Sequence, residues 1–191
     1  MRRRKREALA MPAGQRYYVF LRAINTGDRR LSNGQLVEPF IREGFNDAAA
    51  YQAAGNIAFR CDNGAGVNAE SLEPVLREAY GFEAPAFVRR ADELRAIVDS
   101  CPFTDDVLTA TEGRVQLTFL RHEPDERAIA SVSDLVPTED RVVVSGREWF
   151  WLPQADVSSS HLPVGGIEQL LGPMTMRTFG TLQRMMRKFG D

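Results

Sequence analysis

Read by the period of its apolar residues, the chain runs strand, helix, strand, strand, helix, strand, and then runs through that order a second time. This doubled order constrains the fold more than any other feature. One such run closes into a small antiparallel sheet with its helices on one face. In the first run Tyr17, Tyr18, Val19, Phe20 and Leu21 are apolar at both parities, the mark of a strand covered on both sides. Ser32 and Gln35 have the spacing of a capping box, and Leu36, Val37, Phe40 and Ile41 repeat at helical spacing up to Gly44, with Pro39 a conflict inside the pattern. Residues 48–52 and 57–61 flank Gly55-Asn56 as a hairpin, and a glycine-rich loop follows at 63–66. Leu72, Val75, Leu76 and Ala79 mark a second helix, in which Pro74 is tolerable if Ser71 is the cap. Residues 86–89 close the run as a strand.

The second run reads as a strand at 115–120, a helix at 124–131, a hairpin of 141–144 with 148–152, a short helix at 167–171 and a strand at 174–177. Between the runs lie a helix at 92–100 and a polar loop at 104–113. A last helix, capped by Thr178, carries Leu182, Met185, Met186 and Phe189. The expected fold class is therefore α+β: two ferredoxin-like units with antiparallel sheets, a linking helix and a C-terminal helix. The expected division is a disordered basic arm at 1–10, a first unit at 11–90, a connector at 91–113 and a second unit with the C-terminal helix at 114–191. The repeat is one of architecture rather than of residues. The alternation of Trp149, Phe150 and Trp151 places the tryptophans in the core and Phe150 outward. Two such sheets leave strand edges free to pair, between the halves or with a second subunit.

Composition narrows the function classes. At 191 residues, with 43% hydrophobic and 26% charged, the chain can bury a core without metal or disulfide staples. No stretch approaches the length of a membrane helix and no apolar segment with a cleavage site follows the charged start, so a cytoplasmic location is expected, with no membrane partner. Cys61 and Cys101 stand in unrelated contexts, which fits reduced thiols and excludes a cysteine-based zinc site. The net charge is −2, but Arg2, Arg3, Arg4, Lys5 and Arg6 against Glu7 leave residues 8–191 at −6. An acidic body disfavours nucleic acid. The arm reads as a solvated terminus, or as an unused upstream start before Met11.

No phosphate-binding loop, nucleophile elbow, zinc-protease pair or dinucleotide fingerprint is present. No catalytic residue, cofactor or metal is expected, and His122 with its neighbouring acids lacks the second imidazole that a metal site needs. The most informative segment joins the first strand to the first helix: Arg22, Asn25, Gly27 and Arg29 bring guanidiniums, an amide and glycine-permitted backbone N–H groups to a strand end near a helix N-terminus, where an anion is stabilised. A turn built on Asn25 and Gly27, with solvated arginines, explains the same residues. Gly55 and Asn56 share that ambiguity. Thr181 fits helix capping, whereas Arg177 has no structural explanation in the sequence.

Several of these residues fall in a family's order. Phe20-Leu21-Arg22 with Ile24, Asn25 and Gly27; Gly55-Asn56 with Phe59; Glu93-Leu94; Pro102-Phe103; Val142 to Gly146; Trp151-Leu152-Pro153; and Met176-Arg177 with Thr181, Arg184 and Met185 together resemble the bacterial family called domain of unknown function 1697, over roughly 16–189. The resemblance implies a pair of ferredoxin-like plaits and carries over no catalytic residue. Ala23 and Asp28 stand where that family has glycines, Ala54 where it has a serine, and Thr178 where it has an asparagine. Three functions are open at this point: a non-catalytic module binding a small anionic ligand or nucleotide at strand-to-helix loops, a homo-oligomeric interaction module, and an enzyme of unknown class.

Overall fold

The computed structural model describes residues 14–27, 30–62, 66–111 and 114–190; the expected basic arm at 1–10 and Arg29 lie outside them. The first half is β1 (Gln15–Leu21), α1 (Asn33–Arg42), β2 (Asn46–Ala50), β3 (Asn56–Cys61), α2 (Ala69–Tyr80) and β4 (Ala86–Arg90). Two helices follow, α3 (Ala91–Asp99) and α4 (Asp105–Ala110). The second half is β5 (Gln116–Leu120), α5 (Glu126–Ser133), β6 (Arg141–Ser145), β7 (Glu148–Leu152), α6 (Val164–Leu171) and β8 (Met174–Thr178), and α7 (Phe179–Phe189) ends it. The sheets have the orders β2-β3-β1-β4 and β6-β7-β5-β8, with every pairing antiparallel. This is the ferredoxin-like topology, twice.

The period-2 alternation of β1 decides how the halves meet. Tyr17, Val19 and Leu21 face a core shared with Leu36 and Phe40 of α1 and Leu72 and Leu76 of α2. Tyr18 and Phe20 face the other way, into a core that also contains Leu117, Phe119 and Phe150 of the second half. On β5 and β7, Leu120, Trp149 and Trp151 turn toward Val132 of α5 and Ile167 of α6. The two sheets therefore stack face to face with the plait helices outside. Phe20 and Phe119 mark the centre, their rings stacked at 4.2 Å and 9°. Each such buried aromatic contributes about 1.5–3 kcal/mol by removal from water. Phe150, expected to point outward, is buried in this middle layer; the second face of each sheet is covered by the other sheet.

Local signals account for most element ends. Ser32 and Gln35 form the expected capping box of α1, and the helix continues through Pro39 because Leu36 and Phe40, buried on either side of it, pack against the sheet. The cap of α2 is Asn68 rather than Ser71, which is the reciprocal partner at N3, so Pro74 lies inside the helix. The expected polar loop at 104–113 contains α4: Thr104 caps it, Asp105 and Asp106 suit its positive end, and Val107 and Leu108 reach the central core. Asn56 is the first residue of β3 and is buried; the turn lies at 51–55, where Gly55 takes φ +72. A Cβ on Gly55 would lie 2.9 Å from side-chain atoms of Leu21 and Ile24, so glycine is required there.

Candidate functional site

The strand ends of the two halves meet at two junctions that repeat one another. At one, the Leu21 amide donates to Gly55 O at 2.7 Å and the Arg22 amide to Pro85 O at 2.9 Å; at the other, Leu120 donates to Arg147 O at 2.8 Å and Arg121 to Pro173 O at 3.3 Å. The side chains correspond too. Arg22 makes a bidentate ion pair with Glu168 of α6, and Arg121 pairs with Glu73 of α2, each reaching the opposite half. Arg89 of β4 donates to Glu148 Oε1 at 2.7 Å and to the carbonyls of Leu120 and Arg147. Arg177 of β8 donates to Asn56 Oδ1 and to the carbonyls of Leu21 and Ala54. A repeat of residues does exist, at the positions where the halves touch. Its trace in the sequence is Phe20-Leu21-Arg22 against Phe119-Leu120-Arg121.

The first junction gathers most of the residues that the sequence singled out. Asn25, at φ +55, accepts the Leu31 amide at 2.6 Å and donates to the carbonyls of Leu31 and Ala53. Gly27 takes φ +58, and its carbonyl accepts from Arg30 Nη1 at 2.7 Å. Arg177 spends all five of its N–H groups: besides the three cross-half acceptors, it donates to Thr175 Oγ1 and Met176 O. Burial pushes its pKa down to about 10, so it stays cationic at neutral pH, and among the described residues no carboxylate pairs with it. Thr181, buried in the first turn of α7, exchanges a hydroxyl hydrogen bond with Thr178 at 2.8 Å and accepts from Arg184. Arg177, unexplained by the sequence, fastens the second half to the first. Arg22 does the same at the rim, with Arg22 41% and Glu168 27% exposed.

The second junction opens differently. A cleft of about 450 Å3 lies between the start of α2, the strand β4 and the β5–α5 and β6–β7 turns. Its walls carry Arg89, Arg90, Arg121 and Arg147 against two glutamates, Glu70 and Glu93, with His122 beside them. Glu93 holds two of the guanidiniums loosely, Arg147 at 3.5 Å and Arg90 at 3.7 Å, and Arg90 also reaches Asp92 at 3.2 Å. Among the described residues these ion pairs use Nε of Arg90 and one terminal nitrogen of Arg147, whereas the guanidinium of Arg177 is saturated. The first-turn residues Ala69 and Glu70 bring the positive end of α2 to the same wall. The arrangement suits recognition of a small anion by forked donors. Among the described residues, no cluster of three or more His, Cys, Asp and Glu could hold a metal ion, and no helix is long and apolar enough to cross a membrane.

The sequence signature of a family described as "Protein of unknown function (DUF1697)" matches residues 15–150. The chain belongs to that family. A solved structure of a conserved bacterial protein from Streptococcus pneumoniae, SP0830, superposes with a TM-score of 0.70 over 91% of this chain and 97% of that one, at 20% identity, a likeness of fold alone. Among curated proteins, none matches the sequence. The family's description names no function, so the reading rests on geometry. None of the residues that line the cleft, its four arginines and His122 included, belongs to the set read from the sequence as binding residues. The recurrence of Phe-Leu-Arg was the available signal: it puts Arg121 at the same strand end as Arg22.

Proposed function

We propose that this member of the DUF1697 family is a non-catalytic module that binds a small anionic ligand or nucleotide, and that the ligand occupies the cleft at the second junction. One observation carries the reading: four arginines line a concave space of about 450 Å3, and while Arg89 and Arg121 are paired with Glu148 and Glu73, Arg90 and Arg147 are held by Asp92 and Glu93 through only some of their nitrogens, which leaves donors for a ligand. A volume of that order fits a phosphorylated small molecule. The Arg22 loop, where the sequence first suggested such a site, is the counterpart of the β5–α5 turn; its Arg22 and the adjoining Arg177 are engaged across the halves, which favours the cleft. The body's negative charge means the attraction is local, built from forked donors and the α2 N-terminus rather than from a broad field.

Calorimetric titration with a nucleoside diphosphate and with a phosphosugar tests the proposal. Each charge-assisted hydrogen bond contributes about 1.5–3 kcal/mol, so Arg90→Gln with Arg147→Gln should weaken binding at least about tenfold while the fold persists. No saturable binding to the wild-type chain, or equal binding to the double variant, overturns it.

A second reading, self-association, is favoured by one feature. The edge strand β6 presents Val143, 39% exposed, beside a groove of about 390 Å3 lined by Ile129, Val132, Val136, Val142 and Val144 together with Ser133, Asp140 and Arg141. An apolar edge is open to pairing with a second copy. Light scattering of the wild type and of Val143→Lys decides it: a dimer that the substitution dissociates supports the reading, and a monomeric wild type removes it.

A further inference from the structure

At the other end of β1 from Arg22, a smaller cavity of about 240 Å3 is lined by Arg16, Tyr18, Ala91, Arg95, Met186 and Arg187. Gly190 completes the lining, and among the described residues the charged members are three arginines and no carboxylate. Arg16 begins the strand and is 6% exposed; its terminal nitrogens go to Asp47, on the β2 side, while its Nε is buried with no hydrogen-bond partner. A buried guanidinium N–H without an acceptor is costly, which makes it a place where a ligand oxygen is gained rather than merely tolerated. Arg95 of α3 and Arg187 of α7 are exposed and make no hydrogen bond or ion pair among the described residues. Their helices lie side by side over the end of β1 and bring the two free guanidiniums to one mouth. The floor is Tyr18, whose hydroxyl also has no partner among the described residues. Burial raises its pKa, and the neighbouring cations Arg16, Arg95 and Arg60 lower it, so the phenol stays a neutral donor at physiological pH while sensing three positive charges.

We propose that this cavity is a second binding site, distinct from the cleft and independent of the reading given to it, for a phosphate-sized oxyanion that accepts from Arg16 Nε, from the Arg95 and Arg187 guanidiniums and from the Tyr18 hydroxyl. The cleft is a mixed-charge space large enough for a nucleotide; this cavity has about half that volume, and the charged residues among its described lining are all arginines. Phosphate, or the phosphate of a phosphomonoester, is the chemistry it fits. The site is composite: β1 and α3 belong to the first half, whereas α7 follows β8. The anion would add a bond between the halves at the end of the sandwich opposite the Arg22–Glu168 pair.

The test is calorimetric titration of the full chain with inorganic phosphate and with glycerol phosphate, on the wild type, on Arg95→Gln/Arg187→Gln and on the cleft variant Arg90→Gln/Arg147→Gln. Arg95 and Arg187 are exposed and unpaired, so their loss leaves folding intact. The proposal predicts saturable phosphate binding in the wild type, weakened at least about tenfold in Arg95→Gln/Arg187→Gln and unchanged in the cleft variant. Preference for glycerol phosphate over inorganic phosphate assigns the site to phosphomonoesters, and the reverse assigns it to the free anion. Absence of millimolar binding in the wild type, or binding that Arg95→Gln/Arg187→Gln leaves unchanged, overturns the proposal without touching the cleft.

Discussion

The contact between Arg89 and Glu148 lies at the stacked face of the two sheets, and removing either partner should show how strongly the halves depend on one another. Arg89 is 2% exposed and Glu148 10%, with Nε to Oε1 at 2.7 Å. Desolvation lowers the Arg89 pKa more than its attraction to Glu148 raises it, which means that burial of the cation is costly and the pair only partly offsets it. Glu148→Met leaves a guanidinium between two sheets with only carbonyl acceptors, and Arg89→Met leaves the carboxylate alone. Each single loss should cost about 3–5 kcal/mol. For a chain of this length that is a fall in Tm of about 6–20 °C. With both replaced, no charge is left buried. The remaining cost is the acceptors that Arg89 served, Leu120 O and Arg147 O, at about 1–3 kcal/mol. Urea denaturation of the two single variants and the double measures the coupling directly. A double variant whose loss equals the sum of the singles would refute the reasoning, because it would mean the two charges do not stabilise each other across the interface.

Three further outcomes follow from the same geometry. Arg22→Ala should cost only about 1 kcal/mol in thermal denaturation, because its pair with Glu168 is half-exposed and screened, and it should leave ligand binding in the cleft unchanged. Phe150→Ala should cost about 3–5 kcal/mol in the same assay, as expected for a ring buried between sheets and not for one facing solvent. Asp140 is pushed up by desolvation but pulled further down by hydrogen bonds from Ser160 at 2.6 Å, the Gln154 amide at 3.0 Å and Trp151 Nε1 at 2.9 Å, so its folded pKa is depressed. Its contribution is therefore present above about pH 4 and lost as pH falls through the folded value, and Asp140→Asn should flatten the acid limb of the stability curve.

How much of this was legible in the sequence differs from element to element. The doubled strand and helix order was, because apolar period and caps such as Ser32–Gln35 and Thr178 are local signals. The stacking of the sheets was not: a strand apolar at both parities says that Tyr18 and Phe20 are covered, but not by what. The same gap left Phe150 facing outward and Arg177 without a role, since its cross-half acceptors lie 121 to 156 residues away in the chain. Helix α4 was missed although Thr104 and two aspartates announce it, because a six-residue helix has too little period to stand out from a polar loop. Of the first junction, the turn chemistry was readable, since Gly55 and Asn25 take the left-handed backbone their types suggest, but the cross-half partners of Arg22 and Arg177 were not. The cleft was not readable because its arginines come from three separate segments, the end of β4 and the turns after β5 and β6, that only the packed sandwich brings together.

The central claim is that the second junction is an anion-binding site and the first is a fastening. A nucleoside diphosphate titrated into the wild-type chain, into Arg90→Gln/Arg147→Gln and into Arg22→Ala separates the two. The account predicts saturable binding that falls at least about tenfold in the first variant and is unchanged in the second. Binding that survives loss of Arg90 and Arg147 but disappears with Arg22 would contradict it and return the site to the first junction.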